Sequence, residues 1–589
     1  MRLRRRLRLL AFSSGLICLS LLPGVRAQAA EELLTTPGEI GRPGGRLVAA
    51  WHSEPKTANP VTAVDVVSKE LISLLNADLI HINLATQHTE PALAKSWTVA
   101  DGGRRYVLDL RRGLRFSDGH PFDADDVVFS FKVYLDPKVH SPQRDLLEVG
   151  GKPIQVRKLG AYQVEFNLAQ PYAAAERIFD GVAMLPRHRL ESAYDNGKIS
   201  QAWNLSTDPA AIAGLGPFRL KQYIPGQQVV LERNPYYWKT DAAQHRLPYL
   251  DEIVFLIVPT EDAEVIRFEA GDLDLLEKVS ADNYALLERE QRARGYRLFN
   301  LGPGLEYDFL FFNLNDLSAK NLPEVARRQE WFRRPEFRQA VSLAIDRDAI
   351  VRLVYRGHAT PIWTQVTPGN KLWVDAAIPH PARSVEQANA LLRRAGFSRA
   401  PDGTLMDAHG RPVDFSILSN PSNPQRTRMA TLIQDDLSKL GMRVNLVSME
   451  FQAIMTRVFD SFDYESTLLG LVSGDADPNP EINVWTSTGG SHLWALAETH
   501  PLSAWQAELD RLMALQTTVL DYAKRKNIYD RVQQIVFDED PVICLVSPDV
   551  LAAAKDGIGG LNPSVMRNYL LWNAERLYWR KPQAASSGQ

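Results

Sequence analysis

Cysteine is almost missing: the 589 residues contain two, Cys18 and Cys544. Cys18 lies in an N-terminal apolar run that reads as a cleaved leader, so the remaining chain cannot form an intramolecular disulfide. Cys544, inside Pro541-Val542-Ile543-Cys544-Leu545-Val546, reads as a small buried core residue. After the leader there is no uninterrupted apolar run of about 20 residues, which excludes a membrane-spanning helix. Catalytic signatures are missing as well. There is no G-x-S-x-G elbow, no H-E-x-x-H pair and no G-x-x-x-x-G-K-[ST] phosphate loop. The histidines do not cluster: His492 and His500 flank Leu493–Glu498 with no further ligands nearby, so neither a metal site nor a cofactor is expected. Asp475-Ala476-Asp477-Pro478-Asn479 fails as a calcium loop, because Pro480 stands where a sharp-turn glycine belongs and Thr486 where a bidentate glutamate belongs. Positive charge is not in excess either, with 67 Lys+Arg against 70 Asp+Glu. That balance argues against nucleic acid as a partner.

What is present begins with a basic leader. Arg2, Arg4, Arg5, Arg6 and Arg8 precede an apolar run from Leu9 to Leu22, and Ala27-Gln28-Ala29 offers an A-x-A cleavage site. This is the pattern of a secretory signal peptide over residues 1–29, too short to be a membrane span. It places the mature protein in the periplasm or outside the cell. Its removal takes away arginines and no acid, leaving a more acidic chain.

The most ordered stretch is Leu93–Phe131, LAKSWTVADGGRRYVLDLRRGLRFSDGHPFDADDVVFSF. Tyr106, Leu108 and Leu110 alternate with Val107, Asp109 and Arg111, which predicts a half-buried strand. Asp101-Gly102-Gly103 before it and Ser117-Asp118-Gly119-His120-Pro121 after it are turn signals. Asp123 is placed to cap a helix whose first turn carries Asp125 and Asp126. Val127, Val128, Phe131 and Tyr134 give that helix a buried face. Strand-like and helix-like segments alternate along the whole chain, which predicts a mixed α/β protein.

The order of these turns and caps resembles the signature of the family 5 (peptide/nickel class) extracellular solute-binding proteins of ABC importers, of the oligopeptide- and dipeptide-binding type. Further landmarks follow in the same order. They are Ser53–Pro60, Gly214-Leu215-Gly216-Pro217-Phe218-Arg219-Leu220, Leu231–Trp238, Phe268–Asp274 with Gly271 at a helix end, and Phe337–Arg347. Asp346 is placed to cap the next helix. Ser384 and Gln387 suggest a capping box for the one after it, with Gly396 at its end. The resemblance implies a two-lobed periplasmic-binding-protein fold of type II, in the large class with an extra subdomain in the N-terminal lobe. The implied division is 30–300 for the first lobe, with the inserted subdomain at about 76–213, then 301–530 for the second lobe. Residues 531–589 would return to the first lobe and end in a frayed tail.

The same resemblance implies function. The protein would be a monomeric, non-enzymatic component of an ABC importer, taking a short peptide between its lobes. It would deliver that cargo to permease subunits driven by a cytoplasmic ATPase and meet the membrane only through them. The alternatives are a non-peptide solute on the same fold (an oligosaccharide, a metal complex or an antibiotic-like compound) or a secreted hydrolase. Asp475 is the candidate partner for a ligand α-ammonium, its alternative being a turn residue, because Leu471 replaces the family's Trp and the spacing to Pro478 is one residue short. Gly470, Leu471 and Val472 would form a strand that binds peptide main chain. Glu54 matches a ligand-facing glutamate of relatives. Trp363, Trp373 and Trp485 are candidate walls of side-chain pockets, with core packing as the other reading.

Overall fold

The structure is a computed structural model that describes residues 31–318, 320–496 and 498–581. The leader at 1–29 and most of the C-terminal tail, 582–589, lie outside the described residues. Period-2 side chains build the first sheet. In the strand Arg46–Trp51, Leu47, Ala49 and Trp51 point into a large apolar core, while Val48 and Ala50 face a smaller one under the helices Glu261–Ala270 and Ala281–Arg294. Its neighbours run in the order Phe218–Ile224, Gln228–Arg233, Glu252–Ile257, Arg46–Trp51, and the last pair is parallel. A separate four-stranded sheet over residues 94–167 falls within the segment read as an inserted subdomain and shares the first large core.

The expected strand at 106–110 is Arg105–Leu110, with strict alternation of half-buried and buried residues. Asp123 caps Ala124–Leu135 as half of a capping box completed by Asp126. Val127, Phe131 and Tyr134 are buried, and Val128 is half-buried. Asp346 caps Arg347–Leu353, Ser384 caps Val385–Arg394, and Gly271 ends its helix at φ 91°. Cys544 is buried and free, its thiol pushed up by desolvation.

A second large core gathers side chains from Tyr307 to Val546. Its sheet runs through Glu306–Phe312, Ser466–Val472, Asp414–Ser419 and Arg443–Ser448. The two cores meet along one long strand, Val542–Lys555. Its first half pairs antiparallel with Glu306–Phe312 and its second half with Tyr296–Pro303. Val542–Val546 belong to the second core, whereas Ala552 and Ala554 belong to the first. The chain thus passes from the first core to the second at 303–306 and passes back inside the long strand. Tyr529, Val532, Ile535 and Val536 of the helix Tyr522–Glu539 bury their apolar face in the second core and keep that helix there.

Gly216 is held against the C-terminal end of the helix Val66–Leu75, donating its N–H to Leu75 O at 3.0 Å. A Cβ at this position would run into the carbonyl of Leu74 and the backbone of Leu75 and Asn76. Gly216→Ala is therefore expected to cost about 1–3 kcal/mol. Gly160→Ala, where a Cβ meets open space, should stay within about 0.5 kcal/mol of the parent. Urea denaturation midpoints compare the two; equal midpoints would refute the close approach.

Candidate functional site

A cavity of about 510 Å³ opens where the two cores face each other, within the range of about 300–1,000 Å³ usual for small-molecule sites. Its walls follow from local structure. The helix Val66–Leu75 is capped by Asp65. It presents Val66, Val67, Glu70, Ser73 and Leu74 to the space, a single face at helical spacing. Trp51, at the end of its strand, stacks on Phe255 of the neighbouring strand with ring centroids 3.9 Å apart, and both rings line the cavity. From the second core come Glu306 and Val472, directly opposite each other in the ladder. Arg567, Asn568 and Tyr569 close it from the C-terminal segment. A smaller space of about 110 Å³, sharing Lys278, Glu306, Val472, Arg567 and Tyr569, reaches Ser473, Gly474 and Pro548.

The lining is rich in charge. Lys278 meets Glu306 at 2.6 Å, His52 meets Glu264 at 2.9 Å, and Arg567 approaches Glu70 at 3.6 Å. Glu277 accepts the Leu570 N–H at 2.9 Å. Burial, helped by the charge of Glu70, pushes the Glu277 carboxyl up to about 8. Burial also raises Glu70. For Glu306 burial is outweighed by the Lys278 ammonium, and the carboxyl falls below its usual range. The Glu264 carboxylate raises His52.

The residues singled out in the sequence scatter around this cavity. Val472 lines it, and Gly470 and Leu471 precede it on the same strand, opposite Asp308 and Tyr307. Beyond Ser466 and Thr467, this strand has no register partner on the flank facing Asp414–Ser419, among the described residues. Glu54 is engaged within the first sheet, accepting the Gly226 N–H at 2.6 Å and the Tyr223 hydroxyl. Trp363 stacks on His380 at 4.5 Å beside the buried Arg347. Trp373 and Trp485 do not reach the cavity. Trp373 packs in the second core under Arg525, and Trp485 packs there against Trp494, because the surrounding loops fold onto helices rather than into the cleft.

Asp475 forms a bidentate ion pair with Arg177, so both of its oxygens are occupied. The pair crosses between the cores. Gln87 makes the same crossing, donating to Gly369 O at 2.8 Å and accepting the Lys371 N–H at 3.1 Å. Ala173 N donates to Thr517 O at 2.6 Å. Together these contacts form a polar seam between the two halves. Burial pushes the Asp475 carboxyl up while Arg177 pulls it back.

The sequence reading missed Glu70, Glu277, Lys278, Glu306, Arg567 and Tyr569. Glu70 alone had a local signal, an acid within the apolar stripe of Val66, Val67 and Leu74. Elsewhere, His81 lies 3.2 Å from Asp180 and 3.9 Å from Asp78, a group compact enough for a metal ion. Burial opposes charge on His81, but the two carboxylates outweigh it and hold the imidazole up at about 10. No helix among the described residues is long and apolar enough to cross a membrane.

Comparison with known proteins places this geometry. The family model for bacterial extracellular solute-binding proteins, family 5 middle, matches residues 88–492. A probable ABC transporter-binding protein of Deinococcus radiodurans is 27% identical over 546 residues, covering 89% of this chain and 90% of that one. The oligopeptide-binding protein AppA of Bacillus subtilis is 24% identical over 548 residues, 92% of this chain and 93% of its own. Among solved structures, the ABC transporter substrate-binding protein CtaP of Listeria monocytogenes superposes with a TM-score of 0.75 at 22% identity, covering 92% of this chain and all of that one (100%). The fold is the two-lobed type II periplasmic-binding-protein architecture.

The seam yields a test. Asp475→Ala leaves Arg177 partly buried without its partner, at a cost to the closed arrangement of about 3 kcal/mol. Small-angle scattering of the variant should show a larger radius of gyration than the parent. The double variant Arg177→Met, Asp475→Leu should recover part of the compaction. Identical scattering from parent and single variant would show that the pair does not hold the halves together.

Proposed function

The chain belongs to the bacterial extracellular solute-binding proteins of family 5, and from that membership we propose that it is the substrate-binding component of an ABC importer that captures short peptides between its lobes. One observation carries the reading: the cavity is walled by residues of both sheets, and among the described residues the chain crosses between the two cores at two neighbouring points. Such a site is complete only when the lobes are together. Ligand therefore favours closure by its contacts with the second wall, here Glu306 and Val472. The closed form presents its surface to permease subunits, and cargo leaves chemically unaltered. The leader at 1–29 directs the chain to the periplasm or beyond.

Two features support peptide as the cargo. The flank of Gly470–Val472 is free of a ladder partner among the described residues and these residues are at least partly exposed, so its backbone can pair with an extended main chain and bind without reading side chains. AppA, similar along nearly its whole length, is named for oligopeptide binding. Native mass spectrometry of the protein as isolated should release a heterogeneous population of short peptides, and scattering should show compaction when they rebind. A single sugar, metal complex or antibiotic-like compound in place of that population would overturn the peptide assignment. Conversion of the cargo during incubation would overturn the carrier role.

A further inference from the structure

The cavity walls contain more carboxylates than cations. Glu70, Glu264, Glu277 and Glu306 face Lys278, Arg567 and His52. Each cation has a partner: Lys278 has Glu306, Arg567 has Glu70 and His52 has Glu264. Among the described residues Glu277 has no ion pair. It takes only backbone N–H groups, from Leu570 at 2.9 Å and from Leu571. Glu70 stands close enough to raise it electrostatically, and Arg567, more than half exposed, reaches Glu70 only at 3.6 Å. The stacked Trp51–Phe255 pair supplies an apolar floor beside them.

We propose that the cavity selects its solute by positive charge, with Glu277 pairing an ammonium or guanidinium group of the ligand and Glu70 assisting from the adjacent helix. The proposal rests on the binding-protein reading and adds to it the chemical class of the ligand and the residue that recognises it. Burial and Glu70 make the ionised form of Glu277 costly, and the Arg567 guanidinium offsets that cost only in part. A ligand cation would remove that cost and a neutral ligand would not, so discrimination follows from Glu277 itself. The aromatic pair suits the apolar part of such a solute. Asp475 takes no part, since Arg177 already occupies it. The high pKa of Glu277 agrees with a site completed by its ligand: a neighbouring cation favours the ionised form and pulls the pKa back down. The other charged or titratable groups facing it are Glu70, Lys278, Glu306, Arg567 and Tyr569.

Calorimetry with matched probes tests this. Trialanine amide is compared with N-acetyl-trialanine amide, and N-acetyl-Ala-Lys-Ala amide with N-acetyl-Ala-norleucine-Ala amide, so that the members of each pair differ by one positive charge. Putrescine serves as a non-peptide cation. Cationic members should bind at least tenfold tighter than their neutral partners. Glu277→Gln should erase most of that gap while leaving the neutral probes unchanged, and Glu277→Asp should retain part of it. Circular dichroism confirms that each variant is folded. Equal binding of free and acetylated trialanine overturns charge selection and leaves the peptide reading standing. Putrescine bound while all four peptides fail overturns the peptide reading and upholds charge selection. A Glu277→Gln variant that weakens charged and neutral probes alike, or the failure of every cationic probe to bind the parent, overturns the proposal.

Discussion

The strand Val542–Lys555 is shared by two cores, and the rest of the architecture follows from that sharing. Every buried backbone amide needs a partner. The strand satisfies its first half against Glu306–Phe312 and its second half against Tyr296–Pro303. Between the two ladders lie Ser547 and Pro548 on one side and Gly304 and Leu305 on the other. Pro548 has no N–H to give, Gly302 adopts φ 81°, and the register shifts between Asn300 and Pro303, so the ladder is irregular where the cores part, while Ser547 and Pro548 pair on the other edge with Thr360 and Ala359. The smaller cavity is lined by Gly304, Leu305, Pro548 and Asp549. The joint and the ligand space are therefore one region, and a rotation of the lobes reshapes the walls that contact cargo.

The opposite side of the cleft is held differently. The seam of Arg177, Asp475, Gln87 and Ala173 is built from an ion pair and a few hydrogen bonds, all of which water can replace when the halves separate. An apolar seam of the same extent would bind the lobes together regardless of ligand. A polar seam leaves the balance near enough to even for a solute to decide it, because a ligand moves an equilibrium only by its differential contacts. The partner of Asp475, Arg177, lies 298 residues away in the chain, so the sequence around Asp475 carries no sign of the pair.

The fold was legible wherever a signal is local. Tyr106, Leu108 and Leu110 declare a strand by period, Asp123 and Asp126 a helix start by capping chemistry, and Gly271 a helix end by its need for positive φ. The cavity was mostly not legible. Glu70, Glu277, Glu306 and Arg567 come from four distant segments, and nothing in the neighbours of any one of them reports the others. Trp373 and Trp485, open to either reading, show the converse. Aromatic side chains in irregular stretches serve pockets and cores equally well, and burial among Arg525, Tyr529 and Trp494 is decided by helices far along the chain. The passage back inside the long strand has the same origin: the helix Tyr522–Glu539 carries no sign of which core it joins.

The recognisable motifs nevertheless bear on the unrecognised site. Gly216 donates to Leu75 O, and Asn234 Nδ2 donates to Gly216 O at 2.8 Å. Trp238 Nε1 donates to Leu215 O at 3.1 Å. The two landmarks Gly214–Leu220 and Leu231–Trp238 thus clasp one another and grip the C-terminal end of the helix Val66–Leu75. That helix carries Glu70 into the cavity one turn before its end. Scaffold and cavity are separated along the sequence but joined through this grip: fixed turns set the helix, and the helix sets where a side chain at position 70 enters the cavity wall. A fold arranged this way can change its ligand by exchanging residues such as Glu70 and Glu277 while keeping every motif that makes it recognisable. It also explains why the same motifs that identify the family say so little about what each member carries.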